Sequence, residues 1–129
     1  MYCNSRQYIT TIIADETEED ALQTVRSMIR NGLVDSFILL YSKQKDSIID
    51  FLHSEGVLYA LIGKAYQFAN QTIYVDTDNI QAGKDATEHL IQRGHTKIGF
   101  IGYEKTLLFS SDRRYGYELA HLEHGLPIH

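Results

Sequence analysis

Polar side chains that could hydrogen-bond a small polyhydroxylated ligand fall in two parts of the chain. Asp76, Asp78 and Asn79 follow the apolar segment 73–75, and their side-chain oxygens can accept hydroxyl protons. Arg113 lies near the start of a predicted helix, and its guanidinium presents five donors in a planar fork that suits paired hydroxyl groups. These residue types can therefore bind a small polar molecule through hydrogen bonds.

Two further residues are candidates for the same site. Lys64 follows a predicted strand at its carboxyl end, and the carboxyl ends of parallel strands are where open α/β sheets bind ligands. Phe109 belongs to an apolar segment before a helix and offers a ring on which the C–H face of a sugar could stack. Both have structural alternatives, since Lys64 could be an ordinary surface lysine and Phe109 could be part of the core.

Structural alternatives also exist for the first group. Asp78 or Asn79 could simply be a helix N-cap, which is an ordinary local role for these residue types. Arg113 could be a surface arginine paired with Asp112 or Glu118. The sequence pattern leaves these alternatives open.

Catalytic and metal-binding patterns are missing from the sequence. It contains no Gly-x-Ser-x-Gly, no phosphate-binding P-loop and no Gly-x-Gly-x-x-Gly. His121 and His124 are three residues apart, but a zinc site needs a further firm ligand. Cys3 is the single cysteine, which excludes an internal disulfide. We therefore expect no enzyme activity, no metal and no cofactor.

The charge of the chain argues against direct nucleic-acid binding. Its 129 residues carry a net charge of −5, whereas a nucleic-acid surface normally has an excess of Lys and Arg. No apolar run is long enough for a membrane span, and residues 1–6 are polar, unlike a signal peptide. These features predict a cytoplasmic location without membrane contact.

Predicted strands alternate with predicted helices along the whole chain. Helices are expected to begin at Thr17, at Asp46, at Asp78 or Asn79, and at Ser110 or Ser111. The strands are expected at residues 8–14, 34–41, 57–62, 73–75 and 97–101. Such alternation predicts an α/β fold with a mainly parallel sheet flanked by helices.

Side-chain patterns predict how these elements pack. The continuous apolar run 37–40 is typical of a parallel strand buried on both faces. In the last helix, Tyr115, Leu119 and Leu122 are expected to face inward, and Gly116 is expected to let that helix approach the sheet. Ala82, Ala86 and Leu90 share one face of the preceding helix.

The motifs in the second half resemble those of one protein family. Residues 75–102 read VDTDNIQAGKDATEHLIQRGHTKIGFIG, and residues 111–126 read SDRRYGYELAHLEHGL. An Asp/Asn-rich crossover, His-Leu-Ile, a Gly-His turn, an Ile-centred strand and Arg-x-x-Gly-aromatic occur in this order. This arrangement resembles the effector-binding domain of LacI/GalR transcriptional repressors, from Gln7 onward. ILLYSK and LIGK are most similar to maltose-type repressors of low-GC Gram-positive bacteria.

The resemblance carries expectations about architecture and partners. It implies a periplasmic-binding-protein-like fold that is incomplete here, with residues 1–76 in an N-terminal effector subdomain and residues 77–129 beginning a C-terminal one. It implies a sugar effector such as maltose, a homodimer, and operator DNA bound only through a headpiece outside this chain. Arg113 matches the arginine of Arg-x-x-Gly, which contacts the effector in this family.

A secreted sugar-binding protein of a transport system is the alternative function, because it shares this architecture. It would require a leader peptide and would not be expected to carry the Gly-His block. That block, Gly94-His95, therefore favours the regulator.

Overall fold

The computed structural model describes residues 7–128. Helices and strands alternate from residue 18 to residue 92, as expected from the sequence, and the last two helices then follow one another without a strand between them. In chain order the elements are α1 (Glu18–Arg30), β1 (Phe37–Leu39), α2 (Ser47–Ser54), β2 (Tyr59–Ile62), a short 3-10 helix (Ala69–Gln71), β3 (Ile73–Val75), α3 (Asn79–Gln92) and α4 (Leu108–Glu123).

The strands form a three-stranded parallel sheet in the order β1-β2-β3. Phe37 is opposite Tyr59, and Ala60 is opposite Ile73. The predicted parallel α/β fold is thereby confirmed. Because all three strands run in the same direction, their carboxyl ends lie at one edge of the sheet.

The main core lies between one face of this sheet and the helices α1 and α2. Its buried side chains are Val25, Phe37, Ile49, Leu52, Tyr59 and Leu61. Among residues 7–128 no helix covers the opposite face of the sheet, and Ile38 is 68% exposed. The prediction that the run 37–40 is buried on both faces is therefore wrong, because side chains alternate between the two faces of a strand and the helices cover only one face.

Local capping chemistry sets the starts of three helices. Thr17 accepts a hydrogen bond from the backbone of Asp20, and Asp46 accepts from the backbone of Ile48 and Ile49. Asp78 accepts from the backbone of Gln81 at the start of α3. The predicted starts of these helices are confirmed. The last helix begins at Leu108, slightly before the predicted serines.

Two predicted strands do not form. Residues 8–14 pair with no other strand in the described part of the chain, and Tyr8, Ile9 and Ile12 are exposed. Residues 97–101 also lack a ladder, although Ile98 is buried and its carbonyl accepts a hydrogen bond from the Tyr117 hydroxyl at 2.8 Å. A β-branched composition favours an extended backbone, but a strand also requires a neighbour to pair with.

Helix α4 packs against helix α3, not against the sheet. An added Cβ at Gly116 would lie 2.0 Å from the carbonyl oxygen of Ile80. An added Cβ at Gly83 would lie 2.2 Å from the carbonyl oxygen of Arg113. The two backbones are therefore in direct contact at two glycines. The prediction that Gly116 faces the sheet is corrected by this contact.

The inward face of α4 also differs from the predicted one. Tyr115 is 51% exposed and Leu122 is 74% exposed, whereas Leu119 is half-buried. Tyr117, Ala120 and His121 are buried instead, together with Gly116. The face shared by Ala82, Ala86 and Leu90 on α3 is likewise exposed. The glycine contact fixes the rotation of both helices, so that close packing outweighs the apolar pattern.

We expect Gly116→Ala to destabilise the protein strongly. The new methyl group would overlap backbone atoms of α3, which cannot move aside as a side chain can. Overpacking of this kind costs about 1–3 kcal/mol, and more where backbone must shift. Urea denaturation followed by circular dichroism measures the free energy of unfolding. Gly99→Ala is the matched control, because nothing lies within 4 Å of the added Cβ there; equal stability of the two variants would contradict this packing.

Candidate ligand-binding cleft

A cleft of about 230 Å³ opens at the carboxyl ends of the three strands. Five of the six residues predicted to bind ligand line it: Lys64, Asp76, Asn79, Phe109 and Arg113. They come from the end of β2, the crossover after β3, the start of α3 and the first turns of α4. The remaining lining residues are Leu40, Tyr41, Ser42, Ile62, Gly63, Val75, Thr77 and Leu108.

Asp78 is the predicted residue that does not line the cleft. Its carboxylate accepts a hydrogen bond from the Gln81 backbone at 2.9 Å, as the N-cap of α3. This is the structural role that the sequence left open for Asp78 or Asn79. The cap is therefore Asp78, and Asn79 is free to take another role.

Arg113 is held at the cleft by two neighbours. Its Nε donates to Oδ1 of Asn79 at 2.9 Å. Its guanidinium carbon lies 5.4 Å from the centre of the Phe109 ring, within the range of a cation–π contact. Neither neighbour is an acid, so that the positive charge of Arg113 is not neutralised by them.

The two acids that could have paired with Arg113 are engaged elsewhere. Asp112 is paired with Lys64 at 2.9 Å, and Glu118 is paired with Arg114 at 2.8 Å. Among residues 7–128, Arg113 forms no salt bridge. Arg114 lines a different cavity, together with Tyr103 and Glu118. The geometry thus favours Arg113 over Arg114 as the cleft residue.

Lys64 links the end of β2 to α4. Its hydrogen bond to Asp112 raises the pKa of the ammonium group above 10.5, with further raising contributions from Asp76 and Asp78. The carbonyl of Lys64 accepts a hydrogen bond from the buried hydroxyl of Ser42 at 2.6 Å. Lys64 is therefore positively charged at neutral pH and already paired at the rim of the cleft.

Ser42 belongs to a group of cleft residues that the sequence reasoning missed. Tyr41 and Ser42 follow β1, just as Lys64 follows β2. The rule that ligands bind at the carboxyl ends of parallel strands would have pointed to them as well. Leu108 belongs to the same apolar segment as Phe109, and it lines the cleft beside it.

The segments on both sides of the cleft are joined by backbone hydrogen bonds. Lys43 and Leu107 form an antiparallel bridge, and the Gln44 backbone donates to the Thr106 carbonyl at 3.1 Å. The Leu108 backbone donates to the Ser42 carbonyl at 3.4 Å. These backbone hydrogen bonds hold the start of α4 against the segment that follows β1.

The two histidines considered as metal ligands do not converge. His121 is buried, with its Nδ1 3.0 Å from the Tyr117 carbonyl, whereas His124 is exposed and lies 3.8 Å from Glu88. In the described part of the chain no three His, Cys, Asp or Glu side chains are grouped so that they could hold a metal ion. No helix within residues 7–128 is long and apolar enough to span a membrane.

Comparison with known proteins identifies the family. The family described as periplasmic binding proteins and sugar-binding domain of the LacI family matches residues 4–129. The chain belongs to this family. The resemblance that its motifs suggested is therefore confirmed.

Several relatives are named as transcription regulators. The regulator MalR of Streptococcus pneumoniae is 34% identical over 117 residues, which are 91% of this chain and 35% of that protein. A probable maltose operon repressor MalR from Staphylococcus aureus has a TM-score of 0.93 at 33% identity, over 98% of this chain and 45% of that one. A complex of the regulator CelR with cellobiose has a TM-score of 0.84 at 26% identity, over 98% of this chain and 38% of that one.

These relatives confirm the similarity to maltose-type regulators. Their names favour the regulatory domain over the secreted sugar-binding protein. The chain spans about a third of the length of MalR from S. pneumoniae.

We expect the Lys64–Asp112 pair to contribute modestly to stability, because the Lys64 side chain is 48% exposed. Lys64→Met should lower the free energy of unfolding by less than about 1 kcal/mol in moderate salt. Since the folded pKa of Lys64 is raised, this contribution is fully present below pH 10.5 and is lost only as pH rises through the folded value. Urea denaturation should thus give the same difference in unfolding free energy between wild type and Lys64→Met at pH 7 and at pH 9. A difference that disappears between these values would contradict the assignment.

Proposed function

We propose that this chain is the effector-sensing part of a sugar-responsive transcriptional regulator, and that a neutral sugar binds in the cleft at the carboxyl ends of the strands. The observation that carries the proposal is that Arg113 has no acidic partner among the described residues. Its guanidinium lines the cleft, and Asp112 and Glu118, the two acids near it on α4, are paired with Lys64 and Arg114. Its terminal amino groups are thus available to hydroxyl groups of a ligand.

The cleft also supplies acceptors and an apolar surface. Asp76 offers carboxylate oxygens that can accept hydroxyl protons. Phe109, Leu108 and Leu40 line the same cleft and can pack against the C–H face of a sugar ring. A few directed polar groups among apolar side chains are typical of small-molecule sites.

The balance of charge favours a neutral sugar over a sugar phosphate. Lys64 and Arg113 bring two positive charges, while Asp76 lines the cleft and Asp112 neutralises Lys64. A phosphate site normally concentrates unpaired cations and backbone N–H groups. The names of two relatives point the same way, because one is described as a probable maltose operon repressor and the other is in complex with cellobiose, and both sugars are neutral disaccharides. We propose maltose or a similar disaccharide as the effector.

Effector binding would act through two subdomains. We assign residues 1–76 to one and residues 77–129 to the other, with the cleft between them. A sugar that binds one relative orientation more tightly would shift the population toward it. In the whole protein, which we place in the cytoplasm as a homodimer, this shift would control operator binding by a separate headpiece.

Arg113→Ala should weaken maltose binding by the full-length protein about 10- to 100-fold, because hydrogen bonds to a charged group are worth about 1.5–3 kcal/mol. Operator affinity without sugar should change little. Isothermal titration calorimetry with maltose measures the first effect, and fluorescence anisotropy with labelled operator measures the second. Arg114→Ala is the control, since Arg114 lies outside the cleft. A large loss in Arg114→Ala with none in Arg113→Ala would overturn the proposal.

The 129-residue chain alone should bind DNA no better than a neutral control protein of similar size. Its net charge of −5 leaves no excess of cations to neutralise phosphates. Gel-shift titration at physiological salt, with operator and with scrambled DNA, measures this. A sequence-specific shift by this chain alone would contradict the role of a separate headpiece.

A further inference from the structure

Both polar atoms of the Asn79 side chain are hydrogen-bonded within the protein, although the residue lines the cleft. It is 5% exposed. Its amide nitrogen donates to Oδ1 of Asp76 at 3.2 Å and to the Thr77 carbonyl at 3.1 Å. Its amide oxygen accepts from Nε of Arg113 at 2.9 Å.

This arrangement separates Asn79 from the residues that could contact a sugar. A primary amide has two N–H donors, and both are used within the protein. Its oxygen already accepts from Arg113. By contrast, Arg113 gives only its Nε to Asn79 and keeps its two terminal amino groups for other partners.

We propose that Asn79 is a positioning residue that orients Arg113 before the effector arrives, and that it does not itself bind the sugar. This inference rests on the proposed role of Arg113 in effector binding. An arginine has many rotamers, and fixing them on binding lowers affinity. The hydrogen bond from Nε fixes the plane of the guanidinium, and the Phe109 ring packs against it.

The anchoring of Asn79 itself supports this role. Its two donor bonds attach it to Asp76 and Thr77, in the crossover between β3 and α3. Asn79 is also the first residue of α3, directly after the N-cap. Two hydrogen bonds and the start of α3 therefore fix the Asn79 side chain. Its amide oxygen, which accepts from Nε of Arg113, can in this way define the position of the Arg113 side chain.

A double-mutant cycle on the full-length protein tests the inference. Maltose affinity is measured by calorimetry for wild type, Asn79→Ala, Arg113→Ala and the double variant. We expect Asn79→Ala to weaken binding about tenfold, in line with the worth of a hydrogen bond to a charged group. The double variant should bind within about twofold of Arg113→Ala alone, because Asn79 acts only through Arg113.

The other outcomes are distinguishable. A further tenfold loss in the double variant would show that Asn79 contacts the sugar directly, and would overturn the inference. Unchanged affinity in Asn79→Ala would also overturn it. Unchanged affinity in Arg113→Ala would instead overturn the proposed function on which the inference rests.

Asn79→Asp separates positioning from a loss of folding. Both Asn79→Ala and Asn79→Asp remove the two donor bonds, but only the aspartate keeps an oxygen that can accept from Arg113. We expect Asn79→Asp to bind maltose more tightly than Asn79→Ala but more weakly than wild type, because it keeps a charge-assisted bond to Arg113 while its carboxylate is repelled by that of Asp76. Thermal unfolding without sugar monitors the fold of each variant. If folded Asn79→Asp loses as much affinity as Asn79→Ala, the bond to Arg113 is not what Asn79 contributes.

Discussion

The backbone contact between α3 and α4 is the constraint on which the cleft depends. It requires two glycines, because a Cβ at Gly83 or Gly116 would overlap a carbonyl oxygen of the facing helix. The atom that faces Gly83 is the carbonyl oxygen of Arg113 itself. Asn79 is one helical turn before Gly83, and Arg113 is nearly one turn before Gly116, so the close approach also brings these two side chains within hydrogen-bonding distance.

A second set of contacts connects this helix pair to the sheet. Ser42 bonds to the Lys64 carbonyl, and so joins the ends of β1 and β2. Lys64 in turn reaches Asp112 on α4, while the bridge between Lys43 and Leu107 fixes the start of that helix. The ends of β1 and β2 and the first two turns of α4 are therefore connected to one another around the cleft.

The sequence was informative where the determining chemistry is local. Thr17, Asp46 and Asp78 cap helices through bonds to residues two or three positions away, so that residue type and neighbouring pattern were sufficient. The candidate cleft was largely predictable for a related reason: ligand sites in parallel sheets lie at the strand ends, and five of the six candidates line one cleft.

The failures concern features that require a distant partner. Residues 8–14 and 97–101 have strand-like composition, but the described residues provide no strand for them to pair with. The inward face of α4 was misassigned because an apolar pattern does not reveal that two glycines, 33 residues apart, bring helices into contact. The hydrogen bond between Asn79 and Arg113 was hidden for the same reason, since it depends on where α4 places Arg113.

The two cations of the cleft show why residue type at position 113 matters. Lys64 is a point charge and is already paired with Asp112. In the proposed function, Arg113 is held in place and also keeps donors for a ligand. A guanidinium can do both, because Nε and the terminal amino groups lie in one rigid plane, so that the bond to Asn79 orients the remaining donors. An ammonium group at the end of a flexible chain has no such plane, and a bond from it to Asn79 would leave the direction of its other protons unspecified. The cleft therefore depends on the geometry of an arginine as much as on its charge.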